Sequence, residues 1–376
     1  MASHPARHFP ADYDAGRRAF LRAAEARGAS VTSHPVAARG EAGQELAVDA
    51  AYLGPVAPAR VLAVSSGIHG VEGFAGSAIQ HQLLAEQLDA FPLPPDMGLL
   101  VVHALNPFGF AWLRRVNEGN VDLNRNFLRH PEQHVANPDY DSLYEAINPT
   151  RLDPATEEAS RRALLGFAEA HGFRRLQEVL TCGQYAHPSG VQFGGQRDED
   201  SNRALRELAP RETRGARHVA WVDLHTGLGP YGEVELISES APDDPAFLRL
   251  RTWFGDAARS TLAGDSVSAA LHGVMEHGLA EALGPECELT AFGPEFGTFA
   301  PDRVFWAMRA DNWLHHHGDP DSAAGRAIRR ELLEVFRPDD PDWQARVLDV
   351  GARVLERARA GLAEDRESPA RESPRR

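Results

Sequence analysis

The strongest constraint on the fold is a strand–turn–helix stretch spanning residues 60–88. After Arg60, the run Val61, Leu62, Ala63 and Val64 is continuously apolar, which favours a strand buried on both faces. The run breaks at Ser65, Ser66 and Gly67, and helical apolar spacing takes over from Phe74 to Leu88. Between the two, His69 and Glu72 share a tight turn at the C-terminal end of the strand. Open α/β sheets bind ligands at such strand ends. Imidazole nitrogen and carboxylate oxygen are both good zinc ligands, and Gly70 and Gly73 leave room for a backbone that folds both side chains toward one point. Alone, H-x-x-E is weak, because surface His/Glu pairs arise by chance.

The rest of the chain alternates strand and helix patterns. Residues 12–28 read as an amphipathic helix capped by Asp12 and closed by Gly28. Strands are expected near 31–36, 45–53, 99–105, 217–225, 233–238 and within 287–299. A strand–helix–strand unit of the length seen at 60–105 implies parallel pairing with a right-handed crossover. Residues 106–127 have neither helical nor strand periodicity but carry Phe108, Phe110, Trp112 and Phe127, and are expected to be an ordered loop lining a site. Helices are expected at 153–172, 173–180, 302–317, 321–336 and 342–362, with a Gly- and Gln-rich loop at 182–203. This pattern favours one α/β domain with a mixed sheet over residues 10–362 and a helical insertion around 137–212. The polar tail at 363–376 is expected to be disordered.

Composition narrows the chemistry. A formal charge of −15 argues against nucleic-acid or anionic-membrane partners. All 39 basic residues are arginine, which excludes Schiff-base lysines and phosphate-loop lysines. Two cysteines, Cys182 and Cys287, support neither a disulfide framework nor a cysteine-zinc site. The first residues hold no apolar signal-like run and no later run approaches a membrane span, so a cytoplasmic location is expected.

A third metal ligand should come from another strand end, and His225 in WVDLHTGLG is the candidate. His69, Glu72 and His225 would form a two-histidine, one-glutamate zinc site with an open fourth position, the hydrolytic arrangement. Taken alone, His225 reads as a buried strand-end histidine. Glu295, in GPEFGTF, follows another apolar strand and could deprotonate water and later protonate a leaving amine; by composition alone it reads as a loop glutamate. Asn124 and Arg125 offer an amide and a guanidinium side by side, suited to a carboxylate. Arg114 or Arg115 could stabilise an oxyanion, and paired arginines are otherwise a solvated surface.

HGVEG after a strand, then RRVNEGNVDLNRNF, VDLHTG and PEFGTF, in that order, resembles the zinc carboxypeptidase superfamily. The chain is more similar to the branch containing aspartoacylase and succinylglutamate desuccinylase, and most of all to a bacterial family of deacylases or carboxypeptidases of unassigned function. The likeness runs from about residue 10 to 362. It implies an α/β/α sandwich around a mixed, mainly eight-stranded sheet, with one Zn2+ per chain on His69, Glu72 and His225. It implies Glu295 as general base and acid, Asn124 and Arg125 as carboxylate binders, and Asp122 as the hydrogen-bond partner of the first zinc histidine. Arg115 fits the spacing of the oxyanion arginine best, with Arg114 next. The capping tyrosine of the digestive carboxypeptidases has Tyr231 and Tyr185 as stand-ins, and the 182–203 loop has no counterpart.

The expected activity is zinc-dependent hydrolysis of an amide next to a carboxylate, with an N-acyl amino acid deacylase preferred to a metallocarboxypeptidase. An inactive, zinc-containing carboxylate-binding module is the alternative of another class. The partner would be a small molecule or short peptide with a free carboxylate, and homo-oligomerisation stays open. No G-x-S-x-G elbow supports a serine hydrolase. The HGVMEH run at 272–277 is expected to face solvent.

Overall fold

The computed structural model describes residues 7–90 and 92–364. Its strands are β1 (Ser30–Arg39), β2 (Glu45–Leu53), β3 (Arg60–Ser66), β4 (Met97–His103), β5 (His218–Thr226), β6 (Val234–Ser238), β7 (Ala258–Ser260) and β8 (Glu288–Phe296). The helices preceding β5 are α1 (Tyr13–Ala26), α2 (Gly73–Ala85), α3 (Pro107–Trp112), α4 (Pro138–Ile147), α5 (Pro154–His171), α6 (Phe173–Thr181) and α7 (Asp200–Glu212). Those following it are α8 (Pro245–Phe254), α9 (Met275–Leu283), α10 (Pro301–His317), α11 (Ala323–Phe336) and α12 (Pro341–Glu364).

The strands form one mixed eight-stranded sheet in the order β1-β2-β4-β3-β5-β8-β6-β7. Its centre, β4-β3-β5-β8, is parallel throughout, so these four strands end on the same edge. β1, β2 and β6 join antiparallel to their inner neighbours.

The continuous apolar runs of the central strands reflect burial on both faces. Leu62, Val64 and Val222 point to one side, against Ile79 and Leu83 of α2 and Trp343 and Leu355 of α12. Val61, Ala63 and Trp221 point to the other, against Leu205 and Leu208 of α7 and Leu279 of α9. The result is the expected three-layer α/β/α sandwich. A separate apolar cluster joins Tyr140 and Ile147 of α4, Leu164 of α5 and Val179 of α6 to Phe305, Trp306 and Met308 of α10. No helix among the described residues is long and apolar enough to cross a membrane.

Two local expectations change. Residues 106–127 are not irregular throughout, because α3 opens there behind Asn106, whose side chain accepts the Gly109 N–H at 2.8 Å. Pro107 at the first helical position suits that start, and six residues are too few to show a helical period. The expected tail begins inside α12, which continues to Glu364; the remainder lies outside the described residues.

Candidate active site

The ends of β3, β5 and β8 lie side by side and carry the titratable groups of the site. His69 and Glu72 sit on the turn between β3 and α2. Gly70 on that turn is required by close approach: a Cβ there would lie 2.1 Å from the Gly109 carbonyl carbon. Contact that tight lets the Gly70 and Val71 N–H groups donate to the carbonyls of Arg115 and Arg114, at 3.0 and 2.9 Å. His225 lies near the end of β5 and pairs in register with Glu295 of β8.

The three expected ligands converge. His69 Nδ1 is 2.9 Å from Glu72 Oε1, and His225 Nδ1 is 3.3 Å from Glu72 Oε2. One ligand atom from each residue lies within 4.8 Å of the others. The far nitrogen of each ring meets a carboxylate: His69 Nε2 is 3.1 Å from Asp122 Oδ1, and His225 Nε2 is 2.7 Å from Asp223 Oδ2. Both imidazoles are thereby oriented with Nδ1 toward one point, beside a carboxylate oxygen. This N, N, O donor set with a carboxylate behind each histidine suits zinc.

The electrostatics are those of a cluster of charges removed from water. Burial opposes ionisation of Glu72, yet His69 and His225 together hold its carboxyl well below the usual range. Burial likewise opposes the Asp122 anion, but Arg115, Arg125 and His69 outweigh it and hold Asp122 low. For His225, burial disfavours the cation while Asp223 and Glu72 raise its pKa well above the ordinary value. Burial, and next the Glu72 charge, push Glu295 up to about 8. The Leu228 N–H donates to Glu295 Oε1 at 2.9 Å and fixes the carboxyl.

Two arginines flank the cluster. Arg115 pairs with Asp122, and its Nη2 stands 2.8 Å from His69 Nε2. Arg125 is buried, and its guanidinium donates only to backbone carbonyls, those of Thr181 at 3.0 and 2.7 Å and of Asn124 at 2.8 Å. No carboxylate pairs with it among the described residues. Asn124 Oδ1 accepts the Met275 N–H at 2.8 Å, so its NH2 group is what remains to offer a ligand.

All of this opens into one cavity of about 1280 Å3. His69, Glu72, His225, Glu295, Arg115, Asn124 and Arg125 line its charged end, while α5, α6 and the start of α10 supply apolar walls.

A family described as "Protein of unknown function (DUF2817)" matches residues 9–350. The chain belongs to the DUF2817 family. No curated protein sequence matches this DUF2817 member. Among solved structures, it is similar to carboxypeptidase A from Helicoverpa armigera, with a TM-score of 0.51 at 12% identity over 95% of this chain and 74% of that one. It also matches a protein assigned to the succinylglutamate desuccinylase/aspartoacylase family from Shewanella amazonensis, with a TM-score of 0.36 at 20% identity over 77% of this chain and 73% of that one. The first likeness establishes that the DUF2817 member has the carboxypeptidase fold expected from its motifs.

Not every residue singled out in the DUF2817 sequence joins the site. Arg114 turns away: its Nε pairs with Asp311 at 3.0 Å and its Nη2 donates to Asn120 at 3.0 Å. Its neighbour Arg115 takes the opposite side of the chain and lines the cavity where Arg114 does not, which leaves Arg115 of the two oxyanion candidates. Tyr231 lines the outer cavity and donates to Asp340 at 2.7 Å. Tyr185 is buried behind the site, where its hydroxyl donates to the Arg125 carbonyl at 2.8 Å.

Three acids escaped the sequence reading. Asp223 backs His225 and is itself held by the Ser65 hydroxyl at 2.5 Å, which in turn accepts the Trp221 indole N–H at 2.8 Å. Its signal was present, since positions two apart on a strand share a face. Glu239 and Glu276 line the cavity floor, with Glu276 accepting from the Ser238 hydroxyl at 3.0 Å and the Glu239 N–H at 2.8 Å. His272 and His277 are exposed as expected, whereas Glu276 points inward.

Proposed function

We propose that this protein is a zinc-dependent hydrolase cleaving an amide bond next to a carboxylate, and that it is an N-acyl amino acid deacylase. The observation that carries the reading is the meeting of His69, Glu72 and His225 with Glu295 at the charged end of one cavity. His69, Glu72 and His225 would hold the metal, and bound zinc would supply Lewis acidity that polarises a scissile carbonyl and makes water nucleophilic near neutral pH.

The protein's own groups do the rest. Glu295, whose basicity burial and the Glu72 charge raise, takes a proton from the attacking water and delivers it to the departing amine. Arg125, a buried cation whose guanidinium donates only to backbone carbonyls among the described residues, binds the substrate carboxylate with the Asn124 amide. Arg115 stabilises the oxyanion of the tetrahedral intermediate, while Asp122 and Asp223 keep the two imidazoles in register.

A panel of N-acyl amino acids and short peptides, incubated with and without chelator, tests the activity. Chelator-sensitive release of a free amino acid from N-acyl substrates is the expected result. Preference for peptides would make the protein a carboxypeptidase, and zinc binding without any hydrolysis would make it a binding module. Glu295→Gln, with zinc retained, should lower kcat by about a hundredfold to ten-thousandfold; near-normal turnover would exclude Glu295 as the proton carrier.

A further inference from the structure

The cavity is larger and greasier than a bare amino acid needs. Ligand pockets commonly measure roughly 300–1,000 Å3, against about 1280 Å3 here. The walls supplied by α5, α6 and α10 are mostly apolar, with Arg161, Gln177, Thr181 and Asp302 as their polar exceptions. On α6, Phe173, Leu176 and Leu180 all line the cavity, forming a stripe that ends beside Thr181, the residue whose carbonyl holds Arg125. That stripe rises about 10.5 Å at 1.5 Å per residue, farther than an amino-acid side chain reaches. Trp306 and Met308 of α10 line the cavity as well.

The apolar wall also reaches the surface, with no cover among the described residues. Phe173 is 71% exposed and Leu165 51% exposed, and both belong to the cavity lining. Of the eight exposed large hydrophobics among the described residues, these two and Tyr231 border this one opening. Clustered apolar exposure of this kind marks a binding surface, whereas scattered single residues do not.

A charged floor under a long apolar wall suits an amphiphile. We propose that the acyl group of the substrate is a medium- or long-chain fatty acyl chain lying along α6 toward Phe173. This rests on the hydrolase reading above, with the carboxylate at Arg125 and the amide at the metal cluster. The ligand class is a linear N-acyl amino acid, with most of its binding area in the chain.

The test uses the zinc-loaded full chain with N-acetyl, N-hexanoyl and N-decanoyl derivatives of one amino acid, beside N-acetyl derivatives of amino acids with larger apolar side chains. Burial of each methylene should raise kcat/KM by roughly fourfold until the chain reaches the mouth. Independently of turnover, laurate should displace a dansylated fatty acid from the protein. Phe173→Ser changes an exposed residue and should shrink the decanoyl-to-acetyl ratio of kcat/KM several-fold; Leu176→Trp, which fills the wall, should shrink it further. Chelator-sensitive hydrolysis that is flat with acyl length, or that follows side-chain size instead, overturns the acyl assignment and leaves the hydrolase reading intact. Displacement of the probe by laurate with no hydrolysis of any substrate supports the apolar subsite and sinks the hydrolase reading.

Discussion

Asp223 joins the site through His225 and shows how much of the chemistry depends on atoms behind the ligands. It holds Nε2 at 2.7 Å and is itself braced by Ser65 and, through it, Trp221. If zinc sits on His225 Nδ1, Asp223→Asn should weaken zinc binding about 10- to 100-fold, read by competition with a chromogenic chelator; unchanged affinity would remove Asp223 from the site. A second prediction concerns Glu276. Burial, and next the Glu239 charge, push it up to about 8 from an ordinary value of 4.5. The folded protein therefore keeps a proton that the unfolded chain releases. That contribution is intact below about pH 4.5 and is lost as the pH rises toward 8, at up to roughly 1.4 kcal/mol per pH unit. Urea titrations should show a flatter pH profile in Glu276→Gln than in the parent protein, and parallel profiles would refute the assignment. At this scale legibility follows backbone context. His69, Glu72, His225 and Glu295 were singled out because each lies at or just beyond an apolar strand run and their motifs occur together in one order. Arg115 could be preferred to Arg114 only through the resemblance, since it is the turn of the chain that sends one to Asp122 and the other to Asp311.

Among elements, the segment at 182–203 gains a role that its sequence withheld. The Asp122 N–H donates to the Phe193 carbonyl at 2.8 Å, Tyr185 holds the Arg125 carbonyl, and Gln192 Oε1 accepts from Arg115 at 3.3 Å. The segment thus buttresses the turn that carries Asp122, Asn124 and Arg125. Gly194 makes that packing feasible, because a Cβ there would lie 2.1 Å from the Tyr185 ring and 2.7 Å from the Arg125 carbonyl oxygen. Gly194→Val should cost about 1–3 kcal/mol by overpacking and raise KM for carboxylate substrates more than it lowers kcat. An unaltered urea midpoint together with unaltered KM would show that the segment does not support the turn. Glycine- and glutamine-rich loops carry no periodicity, so their packing partners stay hidden until the fold brings them together. The same holds for β7 and α3, which at three and six residues are shorter than any period can reveal. The central strands and long helices, by contrast, were legible because their apolar runs serve two buried faces.

For the whole molecule, the two apolar layers meet across a single sheet, and α12 packs on the same core as β3, β5 and α2. We propose that residues 10–362 form one domain, with α4–α6 walling the cavity instead of folding as a unit of their own. The proposed metal cluster is a small part of this construction. Its ligands stand on a turn and a strand that the sheet already fixes, and Glu72 is held by both histidines. Zinc should therefore stabilise the fold by mass action alone, about 2.7 kcal/mol when free zinc exceeds its Kd a hundredfold. In a chain of this size that is a shift of several degrees in Tm. Calorimetry of the metal-loaded and chelated protein should give one transition in each, displaced by that amount, with the same far-ultraviolet circular dichroism below it. Collapse of the helical signal on chelation would mean that the metal holds the domain together, and the sheet would then no longer account for the position of His69 and His225.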